Sequence, residues 1–284
     1  GAFYYNSFRN IYLPEEMECI SPYAFYHCQI GCIRFPKHIR DFHDYAFEDS
    51  YIRALDFRET QYSKFDINWL GTIGKFDALF LPRSIEKLTD TSSNPHVHCR
   101  SESLILDIDG KTLKEAIEHY DAHTLFESVK MLAIENIEKI DFRVSDNFPN
   151  LKEVYLPDPI KEIGEGAFMS NEVYTGGQLE KVYLNDNIEV IGKDAFRNNP
   201  KLSNIRLPQN LKSIGTTAFY ECKGLEHIEI PPSVTYIGES AFLNCKGLTH
   251  IEIPISVTYI GECAFWGILR AVSADTLQRR HEIE

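Results

Sequence analysis

The stretch LEHIEIPPSVTYIGESAFLNC, residues 225–245, is followed by LTHIEIPISVTYIGECAFWGI, residues 248–268, and the two match at almost every apolar position. Leu225, Ile228, Ile230, Pro231, Val234, Ile237, Gly238, Ala241 and Phe242 return, 23 residues on, as Leu248, Ile251, Ile253, Pro254, Val257, Ile260, Gly261, Ala264 and Phe265. Ala195-Phe196 and Ala218-Phe219 keep the same period upstream. A fixed repeat of this length marks a solenoid. Within the unit, Ile-x-Ile alternates as a short strand does, one side chain inward and the next outward. The following Pro cannot donate to a ladder and ends the strand. The Gly of Val-x-x-Ile-Gly is expected to supply a permissive backbone for the return turn, and Ala-Phe fills the interior beneath it. One such unit cannot bury its own apolar face, but stacked copies can, with parallel strands down one side.

Working outward, the template fits Leu151, Val154, Leu156, Pro157, Ile160, Ile163, Gly164, Ala167 and Phe168, then Leu179 through Phe196 after a five-residue insertion near Glu172 to Gly176. At the other end it fits Phe8, Ile11, Leu13, Pro14, Met17, Ile20, Ala24, Phe25 and Cys28, and again Ile30 through Phe47. Gly1-Ala2-Phe3 reads as the tail of a repeat, as expected of a fragment or processed form. Ile52-Leu55-Phe57 and Phe76 to Leu88 keep the strand and lose the Ala-Phe tail. Residues 89–150 fit poorly. There Leu113, Ala116, Ile117 and Tyr120 share a face at helical spacing. One helix within 111–130, or two broken near Asp121, is predicted between strands at Leu104 to Ile108 and Met131 to Ile134. The expected organisation is one continuous solenoid over 1–270 with an irregular centre at about 89–150, and a cap or tail at 271–284.

These residues resemble the BspA-like class of leucine-rich repeats, whose consensus L-x-x-I-x-I-P-x-S-V-x-x-I-G-x-x-A-F-x-x-C is reproduced nearly position by position from Ile228 to Cys245. The resemblance implies a right-handed curved solenoid of short parallel strands, used for adhesion or protein recognition on secreted or surface-attached bacterial proteins. It implies no enzyme activity and carries no catalytic residues or cofactor. A protein or glycan partner and an extracellular or cell-surface location follow as expectations. A structural spacer within a larger surface protein is the alternative, and an enzyme or metal function in the central segment the third reading.

Composition narrows the partners. Lys and Arg number 29 against 42 Asp and Glu, a net charge of −13, which disfavours a nucleic-acid backbone or an anionic membrane surface. No run approaches the length of a membrane span. The seven cysteines form no CxxC pair. Cys28, Cys222 and Cys245 each stand three residues after a repeat Phe, where other units place Ser50, Asn171 and Asn199. A small, buried hydrogen-bonding group is the shared requirement.

Several constellations invite chemistry. Leu106-Asp107-Ile108-Asp109-Gly110 resembles the nucleophile motif of haloacid-dehalogenase-type phosphatases, but Lys111 stands where that motif has Thr, and the repeats leave no room for its doubly wound sheet. A strand end with a turn is the preferred reading, and further ligands for a calcium loop are missing. His96-Val97-His98-Cys99 offers three metal ligands in four residues, with a fourth to come from elsewhere in the chain, and a polar loop entering a strand is the preferred reading. On the outer face the template places Asn10/Tyr12, Cys32/Arg34, Ala54/Asp56, Ala78/Phe80, Glu153/Tyr155, Lys181/Tyr183, Asn204/Arg206, His227/Glu229 and His250/Glu252. Rungs about 4.8 Å apart would set His227 beside His250 and Glu229 beside Glu252, a patch that copied solvated residues explain and that could also take a cation. Tyr12, Arg34, Phe80, Tyr155, Tyr183, Arg206, His227, Glu229, His250 and Glu252 are the candidate binding residues, the aromatics foremost because exposed aromatics concentrate binding energy.

Overall fold

A computed structural model describes the chain apart from residues 1, 44, 67–69, 71–72, 74, 83–84, 86, 90–103, 120–122, 172–175 and 269–284. The His96 to Cys99 cluster and the cap at 271–284 therefore lie outside the described residues. Backbone contacts divide the chain into two compact units, Gly1–Ile134 and Glu135–Glu284.

The first unit alternates long strands with short ones: β1 (Ser7–Tyr12), β2 (Cys19–Ile20), β3 (Gln29–Arg34), β4 (Asp41–Phe42), β5 (Tyr51–Asp56), β6 (Lys64–Asp66), β7 (Lys75–Phe80), β8 (Lys87–Thr89) and β9 (Leu104–Asp109). Helices α1 (Gly110–His119) and α2 (His123–Ser128) follow, then β10 (Val129–Glu135). The long strands lie in the order β1-β3-β5-β7-β9-β10, with parallel pairing from β1 through β9. The predicted central helix and its flanking strands are thus present, with α1 in place of a usual return. Asp109 caps that helix: its Oδ1 accepts from the backbone N–H groups of Lys111 at 3.0 Å and Thr112 at 3.2 Å. Leu113, Ala116 and Ile117 are buried, while Tyr120 lies outside the described residues.

The second unit comprises β11 (Lys139–Ile140), β12 (Glu153–Leu156), β13 (Glu162–Ile163), β14 (Lys181–Leu184), β15 (Val190–Ile191), β16 (Asn204–Ile205), β17 (Ser213–Ile214), β18 (Tyr236–Ile237) and β19 (Tyr259–Ile260). Its strands form two parallel ladders, β12-β14-β16 and β11-β13-β15-β17-β18-β19. Glu153 and Lys181 of adjacent rungs are 28 residues apart, whereas Glu189 and Lys212 are 23 apart, so the insertion lengthens one rung without shifting the register.

A third ladder runs through the Ala-Phe turns. The N–H groups of Phe168, Phe196 and Phe219 each donate to the next rung's Ala carbonyl at 2.8 Å. Beneath it the Phe168, Phe196, Phe219, Phe242 and Phe265 rings stack with centroids 5.2–5.5 Å apart, the first four fully buried. Phe3, Phe25 and Phe47 repeat the stack in the first unit. Inward Ile, Leu and Val complete the core, and each fully buried residue of this size contributes about 1.5–3 kcal/mol.

Two sequence expectations change here. The repeat glycines do not supply left-handed backbone: Gly192, Gly215, Gly238 and Gly261 have φ outside that region, and a Cβ on Gly238 would sit 2.4 Å from Thr216 N of the preceding rung. Gly is needed because successive backbones touch at this corner. The positive φ angles fall instead on the residue before Ala, as in Asp194 (55°), Thr217 (52°), Ser240 (54°) and Cys263 (55°), and two after Phe, as in Asn198 (65°), Glu221 (61°) and Asn244 (61°). Side-chain bonds between rungs offset that strain: Thr217 Oγ1 donates to Asp194 Oδ1 at 2.7 Å and Asn244 Nδ2 to Glu221 Oε1 at 2.7 Å.

The second change concerns the position three after Phe. Cys28, Cys222 and Cys245 donate through Sγ to the carbonyls of Phe3, Phe196 and Phe219 at 2.8, 3.2 and 3.0 Å, each the repeat Phe one rung back. Ser50 Oγ donates likewise to Phe25, and Asn199 Nδ2 to Phe168 at 2.8 Å. Asn171 does not join them: beside the insertion it is exposed, and its Nδ2 donates to Asp146 Oδ1 at 2.6 Å.

Candidate functional site

The outward sheet face carries most of the predicted positions. In the first unit the strand register aligns Tyr12 with Arg34, Arg34 with Asp56 and Asp56 with Phe80. Tyr12 is the most open of these, 73% exposed. Asp56, expected to face solvent, is buried instead, because two guanidiniums cover it: Arg34 Nε lies 3.1 Å away, and Arg58 makes a forked pair through Nε and a terminal nitrogen at 2.9 Å each. Burial alone would push the Asp56 carboxyl up; the Arg58 side chain and backbone, with Arg34, outweigh it and hold the group below its ordinary value. Arg58 also lies 4.7 Å over the Phe80 ring, so half-buried Phe80 packs in an intramolecular cation–π contact. Ala78, also expected outside, is buried. Arg34 and Phe80 are thus brought together by the buried carboxylate between them.

In the second unit Tyr155 and Tyr183 are register partners, with rings stacked at 4.4 Å and 9°. Tyr183 is exposed and Tyr155 half-buried. On the neighbouring positions Lys181 Nζ donates to Glu153 Oε1 at 2.9 Å, and the Tyr155 hydroxyl donates to Glu153 Oε2 at 3.2 Å. Burial against its neighbours, then the proximity of Tyr183 and Glu153, pushes the Tyr155 phenol up to about 12. A flat pair of rings flanked by an ion pair is a surface that can stack on a ligand and hydrogen-bond at its rim.

Further along the expected regularity stops. Strand β16 ends at Ile205, and Arg206 turns to an ion pair with Asp186 at 2.9 Å. No strand forms at residues 226–230, so no strand pairing sets His227 beside His250 or Glu229 beside Glu252. These rungs are held by Tyr236 pairing with Tyr259 and by the Phe242 N–H donating to the Ala264 carbonyl at 2.7 Å, and need no long-strand bonds. All four side chains are exposed; His250 Nε2 lies 3.3 Å from Glu252 Oε1. Among the described residues no three His, Cys, Asp or Glu side chains come together as a metal site. Asp109, one carboxylate of the phosphatase-like motif, serves as the helix cap described above.

Two features escaped the sequence reading. On the Ala-Phe side of the first unit, Tyr4 stacks on Tyr26 at 5.1 Å, Tyr5 on His27 at 4.8 Å and Tyr23 on Tyr45 at 5.5 Å, a second aromatic ladder in which Tyr4, Tyr5, Tyr23 and Tyr45 are exposed and Tyr26 and His27 half-buried. The signal was present as aromatics flanking successive Ala-Phe pairs. The other is Arg9 and Arg53, which occupy the first x of L-x-x-I. Strict alternation assigns that position no outward role, yet both residues are exposed.

The model of the BspA type leucine rich repeat region matches residues 1–117, 112–174 and 169–273, in six copies. The chain belongs to this family. Among solved structures, a T. pallidum leucine-rich-repeat protein is 28% identical over 49% of this chain and 60% of that one, with a TM-score of 0.38. A Bacteroides ovatus leucine-rich-repeat protein is 20% identical over 87% and 67%, TM-score 0.42. A leucine-rich cell surface protein of Faecalibacterium prausnitzii is 14% identical over 96% and 89%, TM-score 0.38. The chain thus spans less than two thirds of the treponemal protein. Among curated proteins none matches. Membership of this BspA-type family makes the chain a repeat scaffold of the kind that serves protein interaction, and no helix among the described residues is long and apolar enough to cross a membrane.

Proposed function

We propose that this BspA-type solenoid is a recognition and adhesion module at the surface of, or secreted from, a bacterial cell, and that its outward sheet face binds a protein or glycan without catalysis. The observation that carries the reading is the Tyr155–Tyr183 stack, 4.4 Å between centroids on the open face, with Lys181 and Glu153 at its edge. Pre-stacked rings lose little side-chain entropy on binding, which is why Tyr dominates recognition surfaces. Tyr12, Arg34 and Phe80 in the first unit, and Arg206, His227, Glu229, His250 and Glu252 in the second, are the further contacts of each unit's own outward face, excluding water more than they anchor.

The test is surface plasmon resonance of the chain against arrayed glycans and purified extracellular-matrix glycoproteins, beside the Tyr155→Ala/Tyr183→Ala double variant. Saturable binding that falls at least about tenfold in the variant, at unchanged melting temperature, supports the reading; the loss of one anchor pair is worth about 1.4 kcal/mol or more. Absence of saturable binding, or binding indifferent to the substitution, removes this face from recognition.

A further inference from the structure

In a chain of net charge −13 an arginine without a carboxylate partner is conspicuous. Eight arginines are described, and six of them, Arg34, Arg40, Arg58, Arg143, Arg197 and Arg206, lie within 3.5 Å of a carboxylate. Arg9 and Arg53 make no ion pair among the described residues. They are also not scattered. In the parallel register Phe8, Ile30 and Ile52 align, as do Asn10, Cys32 and Ala54, so Arg9, Gly31 and Arg53 share the intervening position on three consecutive strands. The two arginines stand two strand spacings apart, about 10 Å, with a glycine between them. A side chain cannot fill that gap, because a Cβ on Gly31 would lie 2.1 Å from the Arg9 carbonyl oxygen.

The result is a recess of about 340 Å³, with the arginines at its sides and Ser7, Gln29 and Tyr51 along its rim. The nearest carboxylate in register, Asp77, accepts from the Tyr51 hydroxyl, which also hydrogen-bonds Arg53 and so stands between that guanidinium and the carboxylate. Two arginines lining one open notch suit a planar or tetrahedral oxyanion, which a guanidinium can grip through paired N–H donors. The remaining polar rim is uncharged hydroxyl and amide, which suits the hydroxyls of a sugar ring better than a second charge.

We propose that the Arg9–Gly31–Arg53 notch binds the carboxylate or sulfate of an acidic sugar, with Ser7, Gln29 and Tyr51 contacting the ring. This deepens, and rests on, the reading of the sheet face as a recognition surface. It is a separate contact from the Tyr155–Tyr183 stack, which belongs to the other unit.

The test is two-dimensional NMR of the arginine Nε–Hε groups of the intact chain, titrated with methyl glucuronide, methyl glucoside, inorganic sulfate and acetyl-glutamate amide. The expected result is a saturable shift of the Arg9 and Arg53 signals with the glucuronide, weaker by about tenfold or more for the glucoside, since charge-assisted bonds are lost. Arg9→Ala and Arg53→Ala should each weaken the glucuronide by about tenfold, and Arg40→Ala should leave it unchanged. Lys at both positions should retain only part of the affinity, because the fork is lost while the charge stays. Equal response to glucuronide and glucoside, or no response to either, overturns the proposal. Response to sulfate alone reduces the notch to an ion site and overturns the sugar assignment, and acetyl-glutamate amide matching the glucuronide moves it to acidic peptides. The Tyr155→Ala/Tyr183→Ala result is independent of all of these, so the notch can fail while the wider face stands, and the reverse.

Discussion

Replacing Gly238 by Ala separates two reasons for a repeat glycine. If the position required unusual φ, the cost would be conformational; its φ lies outside the left-handed region, so on that ground alanine should be harmless or mildly stabilising. The packing says otherwise. An added Cβ would stand 2.4 Å from Thr216 N, 2.6 Å from Gly215 C and 2.8 Å from Thr216 Cα, all backbone atoms of the rung before. Reaching ordinary contact requires the rungs to part by roughly 1 Å, since packed carbon atoms sit near 3.5–4.0 Å. That stretches the Gly238 N–H bond to the Ile214 carbonyl, now 2.8 Å, past useful hydrogen-bond length. A lost buried bond costs about 1 kcal/mol and overpacking about 1–3 more, so about 2–4 kcal/mol is expected. Gly166→Ala is the control. There φ is 64° and the nearest atoms belong to the Arg143 side chain at 3.5 Å, an ordinary contact, so only the left-handed cost of about 1–2 kcal/mol applies. Urea unfolding followed by circular dichroism measures both. Gly238→Ala within about 0.5 kcal/mol of the parent, inside the ordinary range for harmless substitutions, would refute the close-approach argument, as would a larger loss for Gly166→Ala.

Other consequences follow from the same ladders. Burial pushes the Cys245 thiol up to about 12 from 9.0 and Cys222 upward as well, so the folded state keeps protons that the unfolded chain releases. Stability should be full below pH 9 and fall between pH 9 and 12 by about 1.4 kcal/mol per pH unit for Cys245, a slope that Cys245→Ser removes in alkaline urea titrations. Ser240, with φ of 54°, should gain about 0.5–1 kcal/mol on replacement by Gly, read as a higher melting temperature; a lower one contradicts the assigned strain. Asp56→Asn should destabilise by about 2–3 kcal/mol, reduced from the fully buried case because Arg34 and Arg58 are partly exposed. The Asp56 carboxyl lies below its ordinary value of 3.8, so its contribution is present above that pH and lost as the pH falls through the folded value; an acid titration with no difference between the two proteins would count against the network.

The repeat could be read residue by residue because its determinants are local and periodic. Ile228 and Ile251, or Phe242 and Phe265, recur at one spacing, and a chain that must bury all of them has stacking as its solution. The helix at Leu113 to Ile117 was legible for the same reason. The site was less so, since whether an outward residue is available depends on its neighbours on other rungs. Asp56 and Tyr12 occupy equivalent positions, and nothing local distinguishes them. Arg34 and Arg58 bury the first, whereas Tyr12 stands at the sheet's edge.

The sequence by itself determined the period, the inward residues and the family, because hydrophobic repetition is a property of the chain alone. Only the tertiary structure decided which face residues pair with one another, why glycine occupies the corner, and that Arg9 and Arg53 flank an open notch. Those facts depend on distances between backbones 22 or more residues apart, where an atom too many or a carboxylate too near changes the answer.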